Sequence, residues 1–435
     1  MDRVVEPPGV INRAAPTGRR VLVLGDYRQT VTIVRSLGRA GFQIVLGTNE
    51  LHSSTAQSRY VSDVRVFEDS IHDRFLDELE AYLRHEKPDY VFPVGEYQAR
   101  CIAGATERLM PLSTWVMPDP STVLRCLDKR ALYALTPTLG IPTAAWCEYT
   151  SFENWSRVAC EMGFPVVVKR KDSSAPIKQK KAIIVRTPEA FDRLLAELQS
   201  EPDTASLVLQ KFASGERQNC HIAAARGRIV AYFQQKVLRT DELDGTGIGV
   251  EGVSVPISPD LRAYCERLVG ALGYHGIGCI QFMVDEKRGT VAFLELNPRM
   301  DSTVALPYRL GYDYPLIAVE IAAQDAPAPI TRPYRTGEHY HWLYGDALSW
   351  LDCHKHRREN GAELLRWAFN MVWSAATSYH LTWDVRDPIP TLHLFRKNFL
   401  QPCRSGGCRP EGGEVRGLRM HKSGFKTWRI APSQR

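Results

Sequence analysis

The run Phe293 Leu294 Glu295 Leu296 Asn297 Pro298 Arg299 places a carboxylate, an amide and a guanidinium on an otherwise apolar strand. Side chains alternate across a strand, so Glu295 and Asn297 share one face while Leu294 and Leu296 share the other. Two oxygen ligands on one face suit Mg2+, which takes one or two carboxylates from a protein and completes its shell with water and phosphates. Arg299 has the same parity, although Pro298 can end the strand and re-aim it. A fixed cation there would stabilise a phosphoryl group or a developing oxyanion. The alternative is a strand that merely ends in polar residues near solvent, so the surrounding elements have to decide.

Those elements alternate between strands and helices. Thr290 to Asn297 pairs with Ile277 to Val284 as a hairpin around Glu286 Lys287 Arg288 Gly289. Residues 1–18 hold three prolines and no apolar periodicity and read as a flexible tail. Val21 to Leu24 is a strand, Gly25 breaks it, Ile33, Val34 and Leu37 mark a helix ended by Gly41, and Phe42 to Leu46 is a second strand. This is a βαβ opening of the Rossmann-like kind. Its turn, Gly25 Asp26 Tyr27 Arg28 Gln29 Thr30, lacks GxGxxG, so a dinucleotide is not expected there. A helix at Phe75 to His85 and a strand at Tyr90 to Val94 continue the alternation, and the first domain, 19–120, closes near Pro118 to Pro120.

From Asp128 a different pattern begins. Asp128 can cap a helix through Lys129, Leu132, Tyr133 and Leu135 that stops at Gly140. Gly163 to Lys169 is an apolar strand that ends in a lysine. Strands follow at Ile183 to Val185, Leu207 to Lys211, His221 to Ala225 and Ile229 to Gln234, with helices at Pro188 to Leu198 and Leu261 to Leu272.

Composition narrows the class. A chain of 435 residues allows two or three domains. With 44% hydrophobic and 24% charged residues it reads as an ordinary soluble protein. A net charge of +6 is small for this length and does not call for nucleic acid; small anionic ligands suffice. Ten scattered cysteines without a CxxC argue for reduced thiols in the cytosol. No secretory h-region and no run near the roughly 18 apolar residues of a membrane span occurs, so a cytoplasmic location is expected.

In order and spacing these parts resemble the ATP-grasp superfamily, particularly members similar to the large chain of carbamoyl phosphate synthetase. The resemblance spans roughly residues 20 to 325. It implies an α/β and α+β protein with a Rossmann-like first domain and a two-lobed ATP-grasp domain at 121–328, its lobes at about 121–207 and 208–328. It further implies activation of a carboxylate as an acyl phosphate that an amine attacks, with ATP and Mg2+ as cofactors and Mn2+ as an alternative ion. Lys129 and Lys169 then match the family's phosphate-side lysines, each a point charge where phosphate needs one. The segment Val208 to Arg217 resembles the hinge between lobes, with Gln210, Lys211, Phe212 and Ala213 around the adenine. Glu295 and Asn297 match the metal ligands, and Arg299 the arginine beside the transferring phosphate.

Three departures cluster on ATP handling. The loop after Lys169, with Ser173, Ser174 and Ala175 and the lysines 171, 178, 180 and 181, has no glycine to cover the phosphates. Its lysine side chains could contact phosphate instead, or form a solvated basic loop. Gln281 stands where the family commonly has an acidic metal ligand, and its amide oxygen can still coordinate. Glu216, the candidate for the ribose hydroxyls, is followed by Arg217 and points to the opposite face if a strand has begun. Thr240 to Gly252 reads as a mobile loop flanking the reaction centre, with Lys236 and Arg239 supplying positive charge; Asp301, Ser302 and Thr303 either touch the acceptor or cap the next helix.

Beyond residue 328 the resemblance fades. Residues 329–400 hold five of the nine tryptophans, Trp342, Trp350, Trp367, Trp373 and Trp383, and a helical spacing over Leu364, Leu365, Ala368, Phe369, Val372 and Trp373. A mainly helical region packed on the catalytic body is expected, with a membrane-surface or acceptor-binding face as the alternative. Residues 401–435 form a basic, glycine-containing tail expected to be disordered. The expected function is a carboxylate–amine ligase with small-molecule substrates and no nucleic acid, compatible with a homodimer. Bicarbonate activation, or nucleotide binding without turnover, remains open.

Overall fold

The computed structural model describes residues 18–68, 74–172, 177–178, 180–200, 203–242, 244–323, 327–355 and 361–397. Ser173 and Ser174 and the tail 401–435 lie outside the described residues.

The chain builds three sheets. The first is parallel: Val61–Val66, Gln43–Thr48, Arg20–Leu24, Tyr90–Pro93 and Thr114–Trp115 lie side by side in that order. Its three central strands read as largely apolar runs because helices cover both faces, while the edge strand Val61–Val66 alternates with exposed polar residues. Helix Thr30–Arg39 packs on one side, with Ile33, Val34 and Leu37 buried; helix Arg74–Glu86 turns Phe75, Leu79 and Leu83 to the other. The turn after the first strand needs a glycine. Gly25 has φ +110°, and a Cβ there would lie 2.5 Å from the Gln98 amide oxygen.

The second sheet is small and antiparallel, ordered Trp146–Glu148, Leu207–Lys211, Val166–Arg170 and Ile183–Val185. Helices Phe152–Met162 and Pro188–Leu198, capped by Ser151 and Thr187, bury Trp155, Phe191, Leu194 and Leu198 against it. The expected lobe boundary at 207/208 therefore falls at the start of a strand of this sheet. The crossover is at residues 212–215, inside the hinge read from the sequence.

The third sheet has seven strands: Thr290–Asn297, Gly276–Asp285, Glu216–Ala225, Arg228–Thr240, Gly249–Ser254, His339–His341 and Tyr379–His380. Helices Lys129–Thr138 and Pro259–Leu272 cover one face through Leu132, Tyr133, Leu261, Cys265 and Leu268. Two expectations change here. The stretch 240–252 is mostly a pinned hairpin: Asp241 N–H donates to the Ile248 carbonyl at 2.9 Å and Ile248 N–H to Asp241 Oδ1 at 2.7 Å, and Gly249 already begins a strand. The region after 328 carries helices Leu343–Lys355, Gly361–Thr377 and Ile389–Phe395, but it also adds the last two strands to the central sheet. Short edge strands of two or three residues leave no periodicity to read.

That region also grips the first domain. Arg35 on helix Thr30–Arg39 is buried and donates from Nε to Asp387 Oδ2 at 2.9 Å, and from its other nitrogens to the Asp387 and Thr382 carbonyls at 2.6 Å each. Asp387 also accepts from Ser58 Oγ at 2.7 Å and Arg59 N–H at 3.0 Å. Burial lowers the Arg35 pKa, and Asp387 works against that loss. Breaking such a pair strands a buried charge, so Asp387→Ala is expected to cost about 3–5 kcal/mol. Thermal unfolding measures it; a Tm within about 2 °C of wild type contradicts the clamp, since ~1 kcal/mol shifts Tm by about 2–4 °C in domains of this size.

Candidate active site

The strand Thr290–Asn297 delivers its polar residues as its parity requires. Its pairing with Gly276–Asp285 has an irregularity between Gln281 and Phe282, after which Gln281 stands opposite Glu295 and Cys279 opposite Asn297. Asn219 pairs with Gln281 on one side and Gln235 on the other, so Glu295, Gln281, Asn219 and Gln235 form one polar row across four strands. Asn297 Nδ2 donates to Glu295 Oε1 at 3.0 Å, which directs its own Oδ1 away from that carboxylate.

Three elements bring positive charge to Glu295. Asp128 caps helix Lys129–Thr138 by accepting from Arg130 N–H at 3.0 Å, which sets Lys129 at the first helical position with Nζ 3.9 Å from Glu295 Oε2. Lys169, near the end of Val166–Arg170, is buried and donates to Tyr133 Oη at 2.6 Å and Gln210 Oε1 at 2.7 Å. The Tyr133 hydroxyl donates on to the Leu294 carbonyl at 2.9 Å, tying the lysine to strand Thr290–Asn297. Burial lowers the Lys169 pKa to about 7, reinforced by Lys129 and opposed by Glu295. Burial lowers that of Lys129 too, against the pull of Glu295 and Glu96. For Glu295 burial works the other way, but Lys129, Lys181, the Asn297 amide and Lys169 outweigh it and hold its carboxyl at about 2. A hard, ionised oxygen donor beside an amide oxygen is a donor set that fits Mg2+.

Arg299 is buried, its Nη2 3.3 Å from Glu96 Oε2 and its Nη1 on the Met300 carbonyl at 3.2 Å. Glu96 begins helix Glu96–Gly104, directly after a strand of the first sheet. From the same sheet edge Arg28 reaches Ser302 Oγ at 2.5 Å and the Gly249 carbonyl at 3.0 Å, with its guanidinium 4.3 Å from the Trp342 ring. Asp301 is buried; burial raises its pKa, but His221, the Thr303 groups and Arg299 bring it down to about 2. His221, Cys279 and Asp301 place ligand atoms within 4.8 Å of one another, and Thr303 sits among them, 3.4 Å from His221 Nε2 and donating to Asp301 from both N–H and hydroxyl.

Not every expected site residue joins this group. Lys236 pairs with Gln218 in register and Gln235 with Asn219, so Lys236 lies on the face opposite Glu295, where it meets Glu216 Oε2 at 2.9 Å. Strand parity thus removes both Lys236 and Glu216 from the polar row. Arg239 is committed elsewhere: it donates to Glu251 at 2.6 Å and, with both terminal nitrogens, to Asp346 at 3.0 and 2.6 Å, pinning helix Leu343–Lys355 to the sheet. Gln210 holds Lys169 rather than facing outward. Lys211 Nζ donates to the Gly163 carbonyl at 2.8 Å and its N–H to the Ala145 carbonyl at 2.8 Å, while the Phe212 N–H meets the Pro165 carbonyl at 3.2 Å; Ala213 lies in the same crossover between sheets. Lys180 lies near Glu242 and Asp244, and Lys181 acts on Glu295. Glu96 and Arg28 were missed by the residue pattern. Both follow the carboxyl ends of parallel strands, where ligand-contacting residues collect in such sheets.

The arrangement is a polar platform roofed by two buried lysines. A family model for the ATP-grasp domain matches residues 134–304, and the chain carries an ATP-grasp domain. It is 27% identical over 288 residues to the carbamoyl phosphate synthase large chain of Thermus thermophilus, covering 64% of this chain and 27% of that protein. To the formate-dependent phosphoribosylglycinamide formyltransferase of Pasteurella multocida it is 23% identical over 309 residues, 66% of this chain and 71% of that one. Biotin carboxylase of Arabidopsis thaliana matches at 26% over 197 residues, 43% of this chain and 36% of that protein. The chain thus spans about a quarter to a third of the length of the biotin carboxylase and carbamoyl phosphate synthase relatives. Among solved structures, the ADP complex of N5-carboxyaminoimidazole ribonucleotide synthetase aligns with TM-score 0.62 and 14% identity, over 78% of this chain and 86% of that one. The biotin carboxylase domain of Hydrogenobacter thermophilus 2-oxoglutarate carboxylase aligns with TM-score 0.60 and 17% identity, over 74% and 73%. These likenesses show the fold.

Lys169 makes anion binding pH-dependent with a definite sign. Its ammonium predominates below about pH 7 and its amine above. An anion that needs the ammonium must therefore bring a proton with it at higher pH, and affinity should fall by up to about tenfold per pH unit above 7. Calorimetry with inorganic triphosphate in buffers of different ionisation enthalpy reads this as proton uptake at pH 8 that vanishes at pH 6; equal affinity and no uptake at both pH values contradicts the assignment.

Proposed function

We propose that this protein is an ATP- and Mg2+-dependent ligase that activates a carboxylate as an acyl phosphate and joins it to an amine. The observation that carries this reading is the convergence of Lys129, Lys169, Glu295, Asn297 and Arg299 from separate elements onto one face, with the carboxylate held ionised among cations. Its ATP-grasp domain and relatives whose names include carbamoyl phosphate synthase support it.

In this reading Lys169 and Lys129 receive the nucleotide phosphates, and residues 210–213 line the adenine between the lobes. Glu295 and Asn297, with Gln281 opposite, would hold Mg2+, which supplies charge neutralisation at the phosphates when bound. Ser173 and Ser174 stay proposed phosphate contacts. Arg299 faces the transferring phosphoryl group, its own charge tempered by Glu96. The substrate carboxylate attacks the terminal phosphorus, ADP leaves, and the amine then displaces phosphate from the acyl phosphate to form the amide. Catalysis is chiefly positioning and electrostatics, as expected for phosphoryl transfer. Asp301, ionised two residues past Arg299, would hold the acceptor by accepting a hydrogen bond from its amine, which attacks in the neutral form and loses a proton as the amide forms. We place the protein in the cytoplasm.

The biotin carboxylase among the relatives favours a second reading in which bicarbonate is the carboxylate. Bicarbonate-dependent ADP formation without an organic acid would select it.

Glu295→Gln keeps the shape and removes the charge. ADP release that depends on both an acid and an amine should fall by about a hundredfold or more, the scale of losing a fixed electrostatic partner at the reacting phosphate. Screening purified protein against pooled acids and amines supplies the assay. Undiminished turnover in the variant would sink the assignment, and ATP binding without ADP release across all pools would point to a nucleotide-binding protein without turnover.

A further inference from the structure

Helix Gly361–Thr377 is apolar on both sides. Its inner side buries Leu364 and Ser374, and Trp367 donates from Nε1 to Asp346 Oδ1 at 2.7 Å. On the outer side Leu365, Phe369, Val372 and Trp373 stay 73%, 68%, 67% and 64% exposed. Positions i, i+4, i+7 and i+8 of a helix fall within one sector about 100° wide, so these four form a continuous stripe. Applied to side chains of roughly 150–250 Å2, those fractions leave on the order of 500 Å2 of apolar surface. That equals the largest patch of a typical monomer, about 300–600 Å2, which is often functional. The following segment leaves Val385, Ile389 and Leu392 more than half exposed as well.

The charge pattern says what covers this face. Around the helix Lys355, Arg357, Arg358 and Arg366 stand against Asp352, Glu359 and Glu363, so the clear excess of positive charge lies further along the chain. Residues 401–435 hold eight Lys or Arg against two Glu, an excess as large as the +6 of the whole chain. A stable dimer needs about 800 Å2 per partner, more than the stripe offers. A surface of negative charge over an apolar interior meets both features.

We propose that the outer face of helix Gly361–Thr377 docks this protein on an anionic lipid surface, the helix lying in the headgroup plane and the basic residues adding electrostatic attraction. The helix is about 25 Å long and would lie on the bilayer rather than span it; no helix among the described residues is long and apolar enough to cross a membrane. The protein body takes the place of the polar face that an isolated interfacial helix would carry. This inference is independent of the catalytic reading.

Co-sedimentation of the full-length protein with phosphatidylcholine vesicles, with and without phosphatidylglycerol, tests it. Wild type should pellet with the anionic vesicles alone and be released as salt is raised. The double variant Phe369→Ser, Trp373→Ser, with an unchanged circular dichroism spectrum and melting temperature, should partition at least about tenfold less, since two aromatic anchors are lost. Wild type staying in the supernatant with both vesicle types overturns the proposal, as does a variant that pellets like wild type. Ultracentrifugation showing a wild-type dimer and a monomeric double variant would overturn it in favour of a second copy.

Discussion

Two buried ammonium groups share one carboxylate, and the rest of the site is arranged around that imbalance. A buried cation without a matching anion is costly, and its proton affinity falls in response. Lys169 shows that response, its pKa drawn down to about 7, while Glu295 is pressed to about 2 by the cations around it. The cluster therefore holds more positive charge than its own carboxylate can answer. A phosphate chain with its divalent ion restores the balance, which is why a pocket of this kind selects a nucleotide polyphosphate over a neutral ligand.

No single element could sustain that cluster. Lys129 depends on the Asp128 cap, Lys169 on the small sheet, and Glu295 and Asn297 on the edge of the large one. Tyr133 is the brace between them: its ring lies under Lys169 at 5.0 Å, and its hydroxyl joins the lysine to the Leu294 carbonyl. The first domain closes the far side with Glu96 and Arg28. It is held in place in turn by Arg35 on Asp387, so the region after residue 328 stabilises the site through the first domain. Arg239 belongs to that same scaffold, since its bidentate grip on Asp346 also collects His341 and Trp367.

The site was legible in the sequence wherever chemistry and local periodicity coincided. Glu295 and Asn297 alternate on a strand with a clear turn before it, and Lys129 follows an N-cap. The Gln281 substitution was readable as a loss of one negative charge, and in the fold it stands directly opposite Glu295 in the register. Lys236 was expected to supply charge beside the 240–252 loop, yet a shift of one residue changes the face, and only the pairing of Gln218 with Lys236 reveals which face that is. Glu216 lies on that same opposite face, the one its place in a strand had implied. The hairpin at 240–252 was hidden by its glycines, whose freedom reads as mobility until a partner strand and Asp241 pin them.

The residues themselves determined the alternation of strands and helices, the lysine-bearing elements and the shared face of Glu295 and Asn297, because each of these is written in spacing of two, in spacing of 3.6 or in a capping residue within a few positions. What only the tertiary structure decided is which of those groups meet. Glu96 lies 203 residues from Arg299, Arg28 lies 274 residues from Ser302, and Arg35 lies 352 residues from Asp387. Contacts across such distances follow from which sheet edges and helix faces pack together, a property of the whole chain's burial of apolar surface and invisible to any local pattern.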